Sequence, residues 1–109
     1  GFDWTDVSFA VEKVKEETRE LIEAYNSADS SSTMITEELG DLLFSVVNVA
    51  RFLKIDPEEA LRMTTNKFIR RFSYVEHRSL ACGRSLESMS LEDMDMLWDE
   101  AKELEKKYD

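Results

Sequence analysis

The segment TEELGDLLFSVVNVARFL, residues 36–53, decides how the chain is read. Projected as a helix at about 100° per residue, Leu39, Leu42, Leu43, Phe44, Val46, Val47, Val49, Ala50 and Leu53 cover most of the circumference, with Phe52 on their other edge. Glu38, Asp41, Ser45 and Asn48 share the one narrow polar sector. A helix that is apolar nearly all round belongs inside a protein. This segment, roughly 34–53, is therefore expected to be a core helix whose polar sector also faces inward. Buried carboxylates must be neutralised, paired or bound to metal.

Three more helices surround it. Upstream, Val7, Ala10, Val11, Val14, Thr18, Leu21, Ile22 and Tyr25 recur at three- and four-residue spacing and predict a helix over roughly 6–26. The serine-rich NSADSSST that follows reads as a loop, because Ser and Asp side chains compete for backbone hydrogen bonds. Downstream, Asp56 and Pro57 suit the cap and first position of a helix that runs to about 81, with Leu61, Phe68, Phe72 and Val75 as its stripe. Phe68 and Phe72 are expected to be buried. Gly83 is the expected stop. After the loop GRSLESM, Ser90 and Asp93 resemble a capping box for a last helix carrying Leu91, Met94, Leu97, Trp98, Ala101 and Leu104. Strand alternation and internal repeats are both missing from this pattern. The expected fold is all-α: a four-helix bundle in one domain over residues 1–109, able to form part of a longer chain.

Composition narrows the function. The 109 residues hold 14 basic and 24 acidic side chains, a net charge of −10, which argues against a nucleic-acid-binding face. The single cysteine, Cys82, cannot close an internal disulfide. No apolar run is long enough to span a bilayer, and the N-terminus has no signal-peptide pattern. A cytoplasmic protein is the simplest reading. A domain this small covers its own apolar surface incompletely, so self-association is expected.

The acidic residues of the first two helices form a constellation. Glu17 lies at the border of the first apolar stripe, Glu20 one turn further on, and Glu16 almost opposite. Glu17 with Glu20, and Glu38 with Asp41, are carboxylate pairs at i, i+3. In an antiparallel hairpin the two pairs can meet near one end, and carboxylates so gathered repel unless cations join them. Hard oxygen ligands in that number suit Mg²⁺ or Mn²⁺. The structural alternative is a solvated acidic face, or pairing of these acids with Arg19, Lys13 or Lys15.

Further along, Lys67 and Arg71, and Trp98 and Lys102, are i, i+4 pairs. They read either as surface cations beside a core Trp or as a clamp for a polyphosphate. His77 and Cys82 lie in no nucleophile motif, and there is no Gly-rich phosphate loop.

Taken together, Glu16-Glu17-x-x-Glu20 and, after 17 intervening residues, Glu38-x-x-Asp41 resemble the MazG family of nucleoside triphosphate pyrophosphohydrolases. GFDW, EELGDLLFSVVNVARFL, IDPEEAL, NKFIRRFSYVE and LEDMDMLWDEAK extend the resemblance over almost the whole chain, and it is closest to the catalytic domain in the C-terminal half of two-domain members. The resemblance implies Mg²⁺-dependent (or Mn²⁺-dependent) cleavage of a nucleoside triphosphate to the monophosphate and pyrophosphate by a homodimer or higher homo-oligomer. It implies metal ligands at Glu17, Glu20, Glu38 and Asp41, a water-activating carboxylate at Glu17 or Glu38, and substrate contacts at Lys67, Arg71, Trp98 and Lys102. Thr5, Thr65 and the serine-rich loop depart from the family pattern. Two other readings are a non-catalytic dimerisation or regulatory module that keeps the acidic site, and an enzyme specialised for one nucleotide such as dUTP or dCTP.

Overall fold

The computed structural model describes residues 7–107; GFDW, Thr5 and the expected helix start at residue 6 lie outside the described residues. Four helices follow in order: α1 (Val7–Asn26), α2 (Ser32–Phe52), α3 (Pro57–Ala81) and α4 (Leu91–Lys107), with a single 3₁₀ turn, Leu86–Ser88, before the last. No strand occurs among the described residues. Among the described residues, no helix is long and apolar enough to cross a membrane.

The helix ends follow from local chemistry. Ser31, in extended conformation, caps α2 by accepting a hydrogen bond from the Met34 amide at 3.1 Å. Asp56 Oδ1 accepts from the amides of Glu58 (2.9 Å) and Glu59 (3.4 Å), and Pro57 occupies the first helical position. The C-termini of α2 and α3 close in Schellman turns. At the end of α2, Ile55 donates to Ala50 O at 2.9 Å and Lys54 to Arg51 O at 3.1 Å; Lys54 takes the left-handed position with φ 58°. At the end of α3, Arg84 donates to Ser79 O at 3.0 Å and Gly83 to Leu80 O at 2.9 Å, with Gly83 at φ 72°. Ser90 Oγ accepts from the Asp93 amide at 3.1 Å, but the Asp93 carboxylate turns to Arg84 at 2.9 Å, so the expected capping box is only half made.

The chain forms two compact units, residues 1–60 and 61–109. In the first, α1 and α2 pack as a helical hairpin. Its buried residues are small or polar: Ala10, Ala24 and Glu17 on α1, and Ser45 on α2. In the second, Val75, Ser79 and Ala101 are buried.

Two expectations about the core need correction. The apolar circumference of α2 is not covered within the chain: Leu39, Leu43, Phe44, Val46 and Val47 are all exposed, Phe44 by 76%. A two-helix hairpin shields only one side of each helix, which leaves the rest of a nearly all-apolar helix facing outward. Phe68 and Phe72 are likewise exposed rather than buried, at 54% and 39%. On α1 the inner edge is formed by Ala24, and Tyr25 faces solvent.

Candidate active site: a carboxylate cage on a helical hairpin

Glu17 stands nine residues before the end of α1, while Glu38 and Asp41 stand six and nine residues after the start of α2. In a hairpin with a short connection these positions lie level with one another. Carboxylate oxygens of Glu17, Glu38 and Asp41 come within 4.8 Å of each other. Glu17 is buried, Glu38 half-buried and Asp41 exposed, so the group opens to solvent on one side. Glu17 Oε2 and Glu38 Oε2 are buried and have no hydrogen-bond partner among the described residues. A buried charged oxygen without a partner is costly. Orphaned hard oxygens on converging carboxylates are the donor set that a divalent cation such as Mg²⁺ or Mn²⁺ takes.

Glu20 does not belong to the group of three. It sits beside Glu17 on the next turn, half-buried, and the charge of Glu17 pushes its carboxyl above the usual range, helped by burial. Glu17 itself is pulled down, first by the hydrogen bond from Lys13. Lys13 Nζ lies 2.9 Å from Glu17 Oε1 and 3.5 Å from Glu16 Oε2. The cation that meets the cage is thus Lys13, one of the three candidates named from sequence. Lys15 turns instead to Glu12 at 3.0 Å. Glu16 faces solvent, as its place opposite the stripe predicts.

An open cleft of about 650 Å³ runs from this cage along α2. Lys13, Glu17 and Asp41 line it, followed in chain order by Phe44, Ser45, Val47, Asn48 and Arg51. Its size falls in the range of small-molecule sites. Ser45 is accounted for by packing: its hydroxyl donates to Leu42 O at 2.7 Å, which satisfies a small polar side chain at a buried position. Asn48 Oδ1 accepts from Arg51 Nε at 3.2 Å. Arg51 was missed in the sequence, although it continues the polar sector one turn beyond Asn48.

In the second unit, Arg71, Trp98 and Phe68 form a cluster. The Phe68 ring lies 5.3 Å from Trp98 and stacks at 5.9 Å on Phe72, and the Arg71 guanidinium lies 5.8 Å from the Trp98 ring. Arg71 Nε and Nη2 both donate to Glu105 Oε2, at 3.1 and 2.9 Å. That bond holds the Glu105 carboxyl below its usual range, helped by the charges of Arg71, Arg70 and Lys67. Lys67 is half-buried and Lys102 exposed. Glu105 escaped the sequence reading because its partner lies 34 residues away.

Residues 7–75 match the model of the MazG nucleotide pyrophosphohydrolase domain. The chain belongs to the MazG family. It is 45% identical over 102 residues to the nucleoside triphosphate pyrophosphohydrolase/pyrophosphatase MazG of Thermotoga maritima, covering 94% of this chain and 38% of that protein. It is 40% identical over 105 residues to a nucleoside triphosphate pyrophosphohydrolase of Escherichia coli K12, covering 96% of this chain and 40% of the relative. A 70-residue stretch, 64% of the chain, is 63% identical to the uncharacterized protein YabN of Bacillus subtilis and spans 14% of it. This MazG chain therefore spans about two fifths of the two named pyrophosphohydrolases.

Proposed function

We propose that this MazG domain hydrolyses nucleoside triphosphates to the nucleoside monophosphate and pyrophosphate. The observation that carries the reading is the convergence of Glu17, Glu38 and Asp41 with two buried, orphaned oxygens, on a chain of the MazG family. Glu17, Glu38 and Asp41 would hold a divalent ion, with Glu20 beside them completing the acidic set. Mg²⁺ bound there supplies charge neutralisation of the polyphosphate and a lowered pKa for water.

The chain's own groups do the rest. Glu17 or Glu38 orients a water toward the α-phosphorus and accepts its proton. The bond from the α-phosphorus to the bridging oxygen breaks, and pyrophosphate leaves with that oxygen. Lys13 reaches the cage from α1 as a cation beside the reacting charges. The resemblance assigns phosphate contacts to Lys67, Arg71 and Lys102, and within its own unit the Arg71 guanidinium is held by Glu105 and lies against Trp98. Cations that contact a polyphosphate favour the charge that accumulates on the leaving group.

The exposed apolar side of α2, with Leu39, Leu43 and Val46, supports a homodimer in which a second copy covers it. The whole described chain then acts as one catalytic domain. The deciding experiment is incubation with each NTP and dNTP in Mg²⁺, with products identified by ion-exchange chromatography. Monophosphate and pyrophosphate in equal amounts are expected. Release of orthophosphate with diphosphate, or no turnover of any nucleotide, overturns the proposal.

A further inference from the structure

Beyond the cage, the cleft has a second polar station that the reaction does not use. Asn48 lies seven residues after Asp41 on α2, which places it about 10 Å further along the helix axis. Ser45, between them, has bonded its hydroxyl to the α2 backbone. Asn48 has not turned to its own backbone. Its side-chain carbonyl accepts from Arg51 Nε at 3.2 Å, and Arg51 in turn lies 5.3 Å from the Phe52 ring. With Oδ1 engaged by Arg51, the amide plane is oriented and the N–H donors of Nδ2 are what Asn48 presents to a ligand. On the same wall, one turn earlier, Phe44 offers an aromatic face that is 76% exposed. Aromatic faces stack on any nucleobase, whereas amide donors distinguish one base edge from another.

We infer that Asn48 is a specificity-determining residue that reads the base of the nucleotide. Arg51 is its positioning residue and Phe44 the stacking surface. The inference rests on the proposed reaction: with the polyphosphate at the carboxylate cage, the nucleoside extends along the cleft toward Asn48. The apolar face assigned to self-association, with Leu39, Leu43 and Val46, lies on the other side of α2. The two uses of the helix therefore do not compete.

The test is kcat/KM across a panel of NTPs and dNTPs for the wild type, Asn48→Asp, Arg51→Gln and Phe44→Ala. Mn²⁺ affinity and thermal midpoint are measured alongside. Asn48→Asp keeps size while replacing donors by acceptors. It is expected to lower kcat/KM about tenfold or more for the preferred base and to shift preference toward bases bearing an amino group, with Mn²⁺ affinity unchanged. Arg51→Gln is expected to flatten the panel by raising KM for the preferred nucleotide while kcat holds. Phe44→Ala is expected to raise KM for every base alike. Unchanged base ratios in Asn48→Asp, with the wild type active, overturn this inference alone. No turnover by the wild type overturns the proposed function and this inference with it.

Discussion

Lys13 Nζ lies 2.9 Å from Glu17 Oε1, on a carboxylate whose other oxygen is buried without a partner in the acidic cage. The ammonium supplies positive charge at one edge of a site built for more of it. Its own pKa is raised, first by the hydrogen bond to Glu17. Lys13 is half-exposed, so it can swing away without unpacking α1. While it stays paired with Glu17, the ammonium opposes an incoming divalent ion. Lys13→Met is therefore expected to bind Mn²⁺ several-fold more tightly than the wild type in the absence of nucleotide. The gain should shrink as salt is raised, because screening weakens the repulsion. Calorimetric titration checks it, and equal or weaker binding by the variant would count against a counter-ion role.

The Arg71–Glu105 pair gives a pH signature. Glu105 has a folded pKa below its unfolded value, so it binds fewer protons when folded. The stability it contributes is present above the ordinary glutamate range, about 4.3, and is lost as pH falls through the lowered folded value. The thermal midpoint of the wild type should drop on acidification below about pH 4. Glu105→Gln should flatten part of that drop, and an identical pH profile in the variant would rule the pair out as a contributor. Glu20 has the opposite sign. Its raised pKa means that its charge, set against Glu17, costs stability at neutral pH, and that this cost is relieved as pH falls through the raised value.

Backbone conformation yields a third prediction. Lys54 holds a left-handed turn at φ 58° that glycine takes without penalty. Lys54→Gly should stabilise the protein by about 1 kcal/mol. At Gly83, φ 72°, a Cβ would meet nothing within 4 Å, so Gly83→Ala should cost only the conformational penalty, also about 1 kcal/mol. Urea melts of both variants measure these differences; opposite signs would contradict the Schellman reading of the two turns.

The uncovered side of α2 leads to a fourth. Leu43 is 58% exposed, so a charge there does little harm to an isolated chain. Leu43→Glu should leave helicity intact and convert an assembly into monomers, as light scattering after size exclusion would show. A wild type that is monomeric at all concentrations would remove the proposed partner.

Much of the architecture was legible because helical periodicity, Asp56-Pro57, Gly83 and Ser90 are local signals. The cage was legible for a related reason: i, i+3 carboxylates on adjoining segments project the same way wherever the helices pack. What failed was the inference from apolarity to burial. Phe68, Phe72 and most of α2 are apolar yet exposed, since a sequence shows which face needs cover but not whether the same chain supplies it. Glu20 was grouped with Glu17 by spacing, and it stands beside the converging three, where the charges of Glu17 and Glu38 raise its pKa. The hold of Glu105 on Arg71 joins two different helices, and no periodic pattern encodes such a pairing.

Glu38→Gln tests the central claim most directly. The change removes one charge and one hard ligand from the cage while keeping side-chain size, and Glu38 makes no ion pair among the described residues. Pyrophosphate release from a nucleoside triphosphate should be present in the wild type with Mg²⁺ and fall at least a hundredfold, on the order of 3 kcal/mol in barrier, in the variant. The helical circular dichroism of the two should coincide. Wild-type turnover by Glu38→Gln would contradict the assignment of the cage as the site of the chemistry.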